Sequence, residues 1–141
     1  MENNDKRLLA AIMLAENASK GENAMFMTGS SVMKRMGANR PKEFGTTLKD
    51  VIYSQKSPYY GTGNRVFSDA MAGETSNYYP PELHQKSMTL ADALLTGQRK
   101  PADAMFFFTP DEIKRLKKNR AFDFSKVSAT GSGDGYEYFS Y

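Results

Sequence analysis

Apolar side chains recur at helical spacing along much of the chain, which predicts a mostly helical fold. The first helix is predicted from about Asp5 to Glu16. Leu9, Ile12 and Met13 form its apolar stripe. Glu16 lies seven residues after Leu9, and at 100° per residue it returns to within about 20° of the same direction. Glu16 is therefore predicted on the apolar face at the helix end, where a solvated glutamate is not expected.

Five further helices are predicted from the same spacing and from residue types that favour helix starts and ends. They run from about Glu22 to Met36, from a cap at Thr46 or Thr47, from Arg65 to Gly73, from a cap at Ser87 to Gly97, and from a start at Thr109 and Pro110. The last of these has Glu112 at the capping-box position. Gly29 lies inside the second helix of the chain, where glycine costs about 1 kcal/mol relative to alanine. We therefore expect another backbone to approach closely there.

The C-terminal part of the chain predicts a small sheet. Its segments are a strand at 104–108, an extended stretch at 122–127, a turn at 131–135 and a terminal strand at 136–141. Because side chains alternate along a strand, Phe106 and Phe108 are predicted on the face opposite Phe107. The predicted fold class is α+β: a mostly helical single domain over residues 1–141, with a small antiparallel sheet near the C-terminus.

Composition narrows the chemistry that is available. The chain has nine Phe and eight Tyr, no cysteine and one histidine. The lack of cysteine excludes disulfides, Cys-zinc sites and thiol nucleophiles. The one histidine, His84, lies in no HExxH motif, which argues against a zinc peptidase, and a Ser-His-Asp hydrolase is disfavoured too. We expect no metal and no cofactor, so catalysis would fall to carboxylates.

Charge points to one basic segment rather than a basic protein. The net charge is +3, and five cations lie between Lys114 and Arg120, so the remainder carries −2. The segment is typical of a solvated helix face, although it can also meet an anionic partner. It lacks interleaved aromatics and a nucleic-acid motif, so we predict no nucleic-acid partner. No stretch approaches the ~20 apolar residues of a membrane span.

Glu16 is the sharpest candidate for chemistry. A carboxyl group in a partly apolar setting has a raised pKa, and a neutral carboxylic acid can protonate a leaving-group oxygen. The alternative is a glutamate at a frayed helix end that pairs with a cation or turns to solvent. Helix geometry alone favours the alternative.

Four landmarks follow one another along the chain. They are Ala15-Glu16-Asn17-Ala18 followed by Lys34-Arg35, the stretch from Val51 to Tyr59, the pair of segments 93–97 and 106–110, and the end from Gly135 to Tyr141. In this order they resemble the SleB-like cell-wall hydrolases. The resemblance implies a lysozyme-like fold that cleaves the β-1,4 bond between N-acetylmuramic acid and N-acetylglucosamine in peptidoglycan. It also implies that Glu16 is the general acid and base, as in a lytic transglycosylase, which needs no second carboxylate to activate water.

Several positions depart from the family pattern. Lys20 stands where the family often has a second glutamate, Thr109 where it has asparagine before proline, and Glu137 where it often has histidine. These departures favour the alternative function, a catalytically inactive structural or binding protein of a phage virion that retains the fold. No second acidic residue shares the apolar setting of Glu16, and the reserve candidates are Glu22 and Glu74.

Aromatic and polar side chains supply a candidate sugar groove. The aromatic faces that would hold sugar rings are those of Tyr53, Tyr59, Tyr60, Phe107 and Tyr138. The groups that would bond N-acetyl and hydroxyl groups are those of Gln55, Ser57, Asn64 and Thr109. The alternative is core packing with a tyrosine-rich surface.

The expected partners are peptidoglycan glycan strands and other phage virion proteins. The first residues show no Sec signal-peptide pattern, which favours a phage protein held in the virion, or in the host cytoplasm before release.

Overall fold

Seven α-helices form within residues 3–54, 59–73 and 79–141, which are the residues described by the computed structural model. They are α1 (Asn3–Asn17), α2 (Glu22–Met36), α3 (Pro41–Phe44), α4 (Leu48–Ile52), α5 (Arg65–Met71), α6 (Pro81–Thr96) and α7 (Pro110–Lys118). Three short 3-10 helices span Ala18–Lys20, Tyr60–Gly63 and Phe124–Lys126. With the small C-terminal sheet, this confirms the predicted α+β class.

The α1 helix is the centre of the core. Every residue from Leu8 to Leu14 is buried, and the helix packs against α2, α5 and α6. The predicted apolar stripe was therefore too narrow, because a helix enclosed on all sides needs apolar or small residues around its whole circumference. This burial fixes the end of α1, and with it Glu16.

Gly29 in α2 allows close packing of side chains rather than of a backbone, which corrects the expectation from the sequence. A Cβ atom at this position would overlap the side chains of Met13 and Leu94. Because Gly29 has no side chain, side chains of α1 and α6 can both pack against α2 at this position.

The start of α6 also differs from the prediction. Ser87 is buried inside the helix, where its hydroxyl donates to the His84 carbonyl at 2.8 Å, so it is not a cap. The helix begins at Pro81, because proline fits the first turn, where no N–H is needed. Its end at Gly97, which has φ +78°, is as predicted.

Three antiparallel strands form the sheet in the order β1-β3-β2. They are β1 (Phe106–Phe108), β2 (Ser128–Gly133) and β3 (Tyr136–Ser140). The turn predicted at 131–135 is shorter, because Asp134 (φ 55°) and Gly135 (φ 83°) alone reverse the chain and Gly131–Gly133 belong to β2. The stretch predicted to be extended contains the 3-10 helix Phe124–Lys126, which the side chain of Asp123 caps.

Alternation along β1 sends its phenylalanines to two sides, as predicted. Phe106 is buried against Phe44 and Tyr141, and Phe108 stacks on the same side. Phe107 instead contacts Tyr59 and Tyr136. β1 therefore packs Phe106 into the core, while Phe107 and Phe108 border a cleft. Within the described ranges, no helix has the length and apolar character needed to cross a membrane.

Candidate active site

Elements distant in sequence meet at a cleft of about 100 Å³. The end of α1, the 3-10 helix Tyr60–Gly63, β1, α7 and β3 all border it. The lining residues are Glu16, Arg35, Tyr59, Tyr60, Phe107, Phe108, Glu112 and Tyr136. The predicted acid thus lies in one cleft with three of the predicted aromatic residues: Tyr59, Tyr60 and Phe107.

Glu16 is held at the last turn of α1 by one backbone group. The Gly61 N–H donates to its Oε1 at 2.8 Å. A Cβ atom on Gly61 would lie 2.9 Å from the Ala15 Cβ and 3.3 Å from the Glu16 Cγ, so glycine is needed for this close approach. The contact leaves the second carboxyl oxygen of Glu16 without a hydrogen-bond partner among the described residues.

The electrostatic setting of Glu16 favours its neutral form. Burial is the main cause that raises its pKa, and the negative charge of Glu112 raises it further. The Gly61 N–H and the positive charge of Arg35 act in the opposite direction, and the net pKa shift is upward. A carboxyl group of this kind can hold a proton for transfer at higher pH than a solvated glutamate.

Arg35 belongs to the wall of the cleft rather than to its open space. It is 6% exposed, and its Nε donates to the Met105 carbonyl at 2.7 Å. Its guanidinium carbon lies 4.5 Å from the centre of the Tyr59 ring. These contacts fix Arg35, the described residue whose positive charge lowers the pKa of Glu16.

Aromatic rings and their hydroxyl groups form the remaining wall. Tyr59 is buried, and its hydroxyl lies 2.6 Å from the Ser31 hydroxyl. Tyr136 packs edge to face on Phe107 at 5.2 Å, and its hydroxyl donates to the Asn17 side chain at 2.8 Å. The ring of Tyr60 is 76% exposed and is open to a ligand.

Sequence reasoning missed Glu112, Tyr136 and Phe108 as members of the cleft. Each already had a complete local explanation: Glu112 as part of a helix cap, Tyr136 as part of a terminal strand, and Phe108 as part of the strand face opposite Phe107. Only the tertiary fold brings them to Glu16, so no local signal in the chain identifies them. Arg35 was singled out in the sequence, as one of the landmarks of the family resemblance.

Other predicted binding residues lie elsewhere. Tyr53 is 46% exposed beside Phe67 and borders a separate open groove of about 550 Å³. Tyr138 is buried, and its hydroxyl donates to the Gly133 carbonyl at 3.3 Å. Neither side chain is brought to the cleft, because one packs on α5 and the other inside the sheet.

The polar candidates are used in helix caps. The Asn64 side chain accepts from the Val66 N–H at 2.8 Å and begins α5. The Thr109 hydroxyl accepts from the Glu112 N–H at 3.2 Å and begins α7. Their side-chain oxygens therefore stabilise helix starts and do not line the cleft. Gln55 and Ser57 lie outside the described residues.

The remaining charged candidates also lie away from the cleft or outside the described residues. Glu22 is exposed, and its carboxylate lies 3.6 Å from the Lys86 ammonium. Glu74 is outside the described ranges. The five cations from Lys114 to Arg120 are exposed, and none forms an ion pair with another described residue.

In the part of the chain that the structure describes, no group of three or more acidic or histidine side chains could hold a metal ion. No protein-family model, curated protein or solved structure matches the chain.

Proposed function

We propose that the chain cleaves the β-1,4 bond between N-acetylmuramic acid and N-acetylglucosamine in peptidoglycan, as a lytic transglycosylase or muramidase. The observation that carries this proposal is Glu16, a carboxyl group with a raised pKa in a small cleft with aromatic walls. Glycoside cleavage needs such a proton donor beside the scissile bond. Aromatic faces and hydroxyl groups suit the ring and rim of a sugar.

In the proposed mechanism, neutral Glu16 gives its proton to the glycosidic oxygen. The C1–O bond breaks, its electron pair stays on that oxygen, and positive charge develops on the muramic ring. The Glu16 carboxylate then takes the proton of the muramic C6 hydroxyl as that oxygen bonds to C1. A 1,6-anhydro ring results, and Glu16 is again protonated for the next cycle.

The size of the cleft limits what it can enclose. Its volume of about 100 Å³ is below the ~300–1,000 Å³ of typical small-molecule sites. The cleft therefore holds only the part of the strand around the scissile bond. The exposed ring of Tyr60 is the nearest surface on which a neighbouring sugar can rest.

The second candidate function is an inactive structural or binding protein of a virion. It is favoured by the small cleft and by Lys20, which stands where the similar family often has a second glutamate. The Lys20 ammonium lies 3.9 Å from the centre of the Tyr136 ring and donates to the Asp134 carbonyl at 3.2 Å. A lysine that packs on Tyr136 and donates to Asp134 supports the wall of the cleft, and it supplies no proton acceptor.

A turbidity assay on purified sacculi tests the proposal with the wild type, E16Q and E22Q. Glu22 is the matched control, because it is a glutamate that pairs with Lys86 away from the cleft. We expect the wild type and E22Q to clear sacculi and E16Q to be slower by about 100-fold or more. Equal clearing by E16Q would refute the mechanism, and no clearing by any of the three would support the second candidate.

A further inference from the structure

A second carboxylate, that of Glu112, lies in the same cleft as Glu16. The inference drawn from it rests on the proposed function and concerns the same site. Because both side chains line a space of only about 100 Å³, ionisation of one carboxyl group disfavours ionisation of the other.

Glu112 is held in place by the first turn of α7. Its Oε1 accepts the Thr109 N–H at 2.9 Å, while its own N–H donates to the Thr109 hydroxyl at 3.2 Å. This reciprocal capping box fixes the side chain without a cation. The other carboxyl oxygen has no hydrogen-bond partner among the described residues, and Glu112 forms no ion pair with any of them.

Among the described residues, five titratable side chains line the cleft with Glu16. Arg35 of α2 is cationic, Glu112 of α7 is anionic, and Tyr59, Tyr60 and Tyr136 contribute hydroxyl groups. Arg35 is already bonded to the Met105 carbonyl and stacked on Tyr59. Glu112 acts on the Glu16 pKa in the direction opposite to Arg35, with the smaller effect of the two, and it adds to the larger effect of burial.

We propose that Glu112 is a positioning residue that acts through Glu16, because its carboxylate, held in the same cleft, adds a negative charge that disfavours ionisation of the Glu16 carboxyl group. The capping box thus both starts α7 and holds a second carboxylate in the cleft of Glu16. Loss of that charge would let Glu16 ionise at lower pH, since two carboxylates in one small site disfavour joint ionisation. At neutral pH a smaller share of the protein would then carry the proton that bond cleavage needs.

The test compares E112Q with D111N. Glutamine can accept the same Thr109 N–H, so E112Q removes the charge while it keeps the cap. Asp111 is exposed in the same helical turn and does not line the cleft, so D111N removes an equal charge from the same helix start. Thermal unfolding of each variant shows whether the fold is retained.

The first readout is the titration of the Glu16 carboxyl carbon by NMR, which needs no activity. We expect its midpoint to move to lower pH in E112Q and to stay in place in D111N. An unchanged midpoint in E112Q, or an equal move in D111N, would overturn the proposal.

The second readout is the pH profile of sacculus digestion. We expect the alkaline limb of the E112Q profile to move to lower pH, with the rate at acidic pH retained. An alkaline limb equal to that of the wild type would overturn the proposal. If the wild type digests nothing, the proposed function fails while the NMR titration still decides the role of Glu112.

Discussion

At the scale of single residues, Glu16 is partly buried at the end of a helix whose preceding turns are closed to solvent. Its pKa in the folded protein is raised mainly by that burial. A group whose pKa is higher in the folded than in the unfolded state stabilises the fold only while it is protonated. Ionised Glu16 therefore opposes folding, as is common for residues that serve a function.

The stability of E16Q relative to the wild type should depend on pH. Glutamine can accept the same Gly61 N–H but cannot ionise. The free-energy difference between the two proteins should be independent of pH below the ordinary glutamate pKa of 4.5. It should shift in favour of E16Q as pH rises from there through the raised pKa of folded Glu16. Denaturant unfolding across a pH series measures this, and a difference that stays constant with pH would contradict it.

The partial burial of Glu16 was predictable from the sequence, because helical spacing places it on the apolar face of its helix. Its electrostatic setting was not predictable, since it depends on Arg35, Gly61 and Glu112. These residues come from a second helix, a 3-10 helix and a distant helix start. Thr109 and Asn64 were predicted to bind a sugar. Polar residues directly before helices are typical caps, and the structure uses both side chains as caps.

At the scale of elements, the contact between α1 and the 3-10 helix Tyr60–Gly63 holds the Glu16 side chain in place. The Gly61 N–H donates to Glu16 there, and a Cβ atom on Gly61 would meet Ala15. Gly63 lies in the same 3-10 helix, but a Cβ atom on it would have no neighbour within 4 Å. The two glycines therefore allow a matched comparison of the same substitution.

Gly61→Ala should destabilise the protein and slow cleavage. The added methyl group forces the 3-10 helix away from α1, which costs about 1–3 kcal/mol for overpacking and lengthens the N–H bond to Glu16. Gly63→Ala should change the free energy of unfolding by less than about 0.5 kcal/mol. Denaturant unfolding and the sacculus assay measure both effects. Equal behaviour of the two variants would contradict the account of this contact.

Element limits were predictable where local chemistry decides them. The α2 helix has the bounds predicted from the sequence, because its apolar spacing and the residues at its two ends indicate the same limits. The start of α6 was missed because Ser87 has the residue type of a cap, while burial against the core keeps it inside the helix. The β2 strand was missed because its glycines suggest a turn, while pairing with β3 keeps them extended.

At the scale of the whole molecule, the cleft is a product of topology. Residues from both ends of the chain meet there because β3 pairs with β1, and β1 leads directly into α7. The sequence predicted the class of the fold and the partly apolar setting of Glu16. It could not predict which 3-10 helix, strand and helix start would enclose Glu16, since these distances are set by packing between elements.

Mass spectrometry of the products released from purified sacculi decides whether Glu16 acts as both general acid and general base. The wild type should release fragments that end in 1,6-anhydro-muramic acid, because Glu16 alone gives and takes the proton. The E16Q variant should release about 100-fold less or none. Wild-type fragments with reducing muramic ends would contradict the single-carboxyl mechanism. Undiminished release by E16Q would contradict the assignment of Glu16 as the acid.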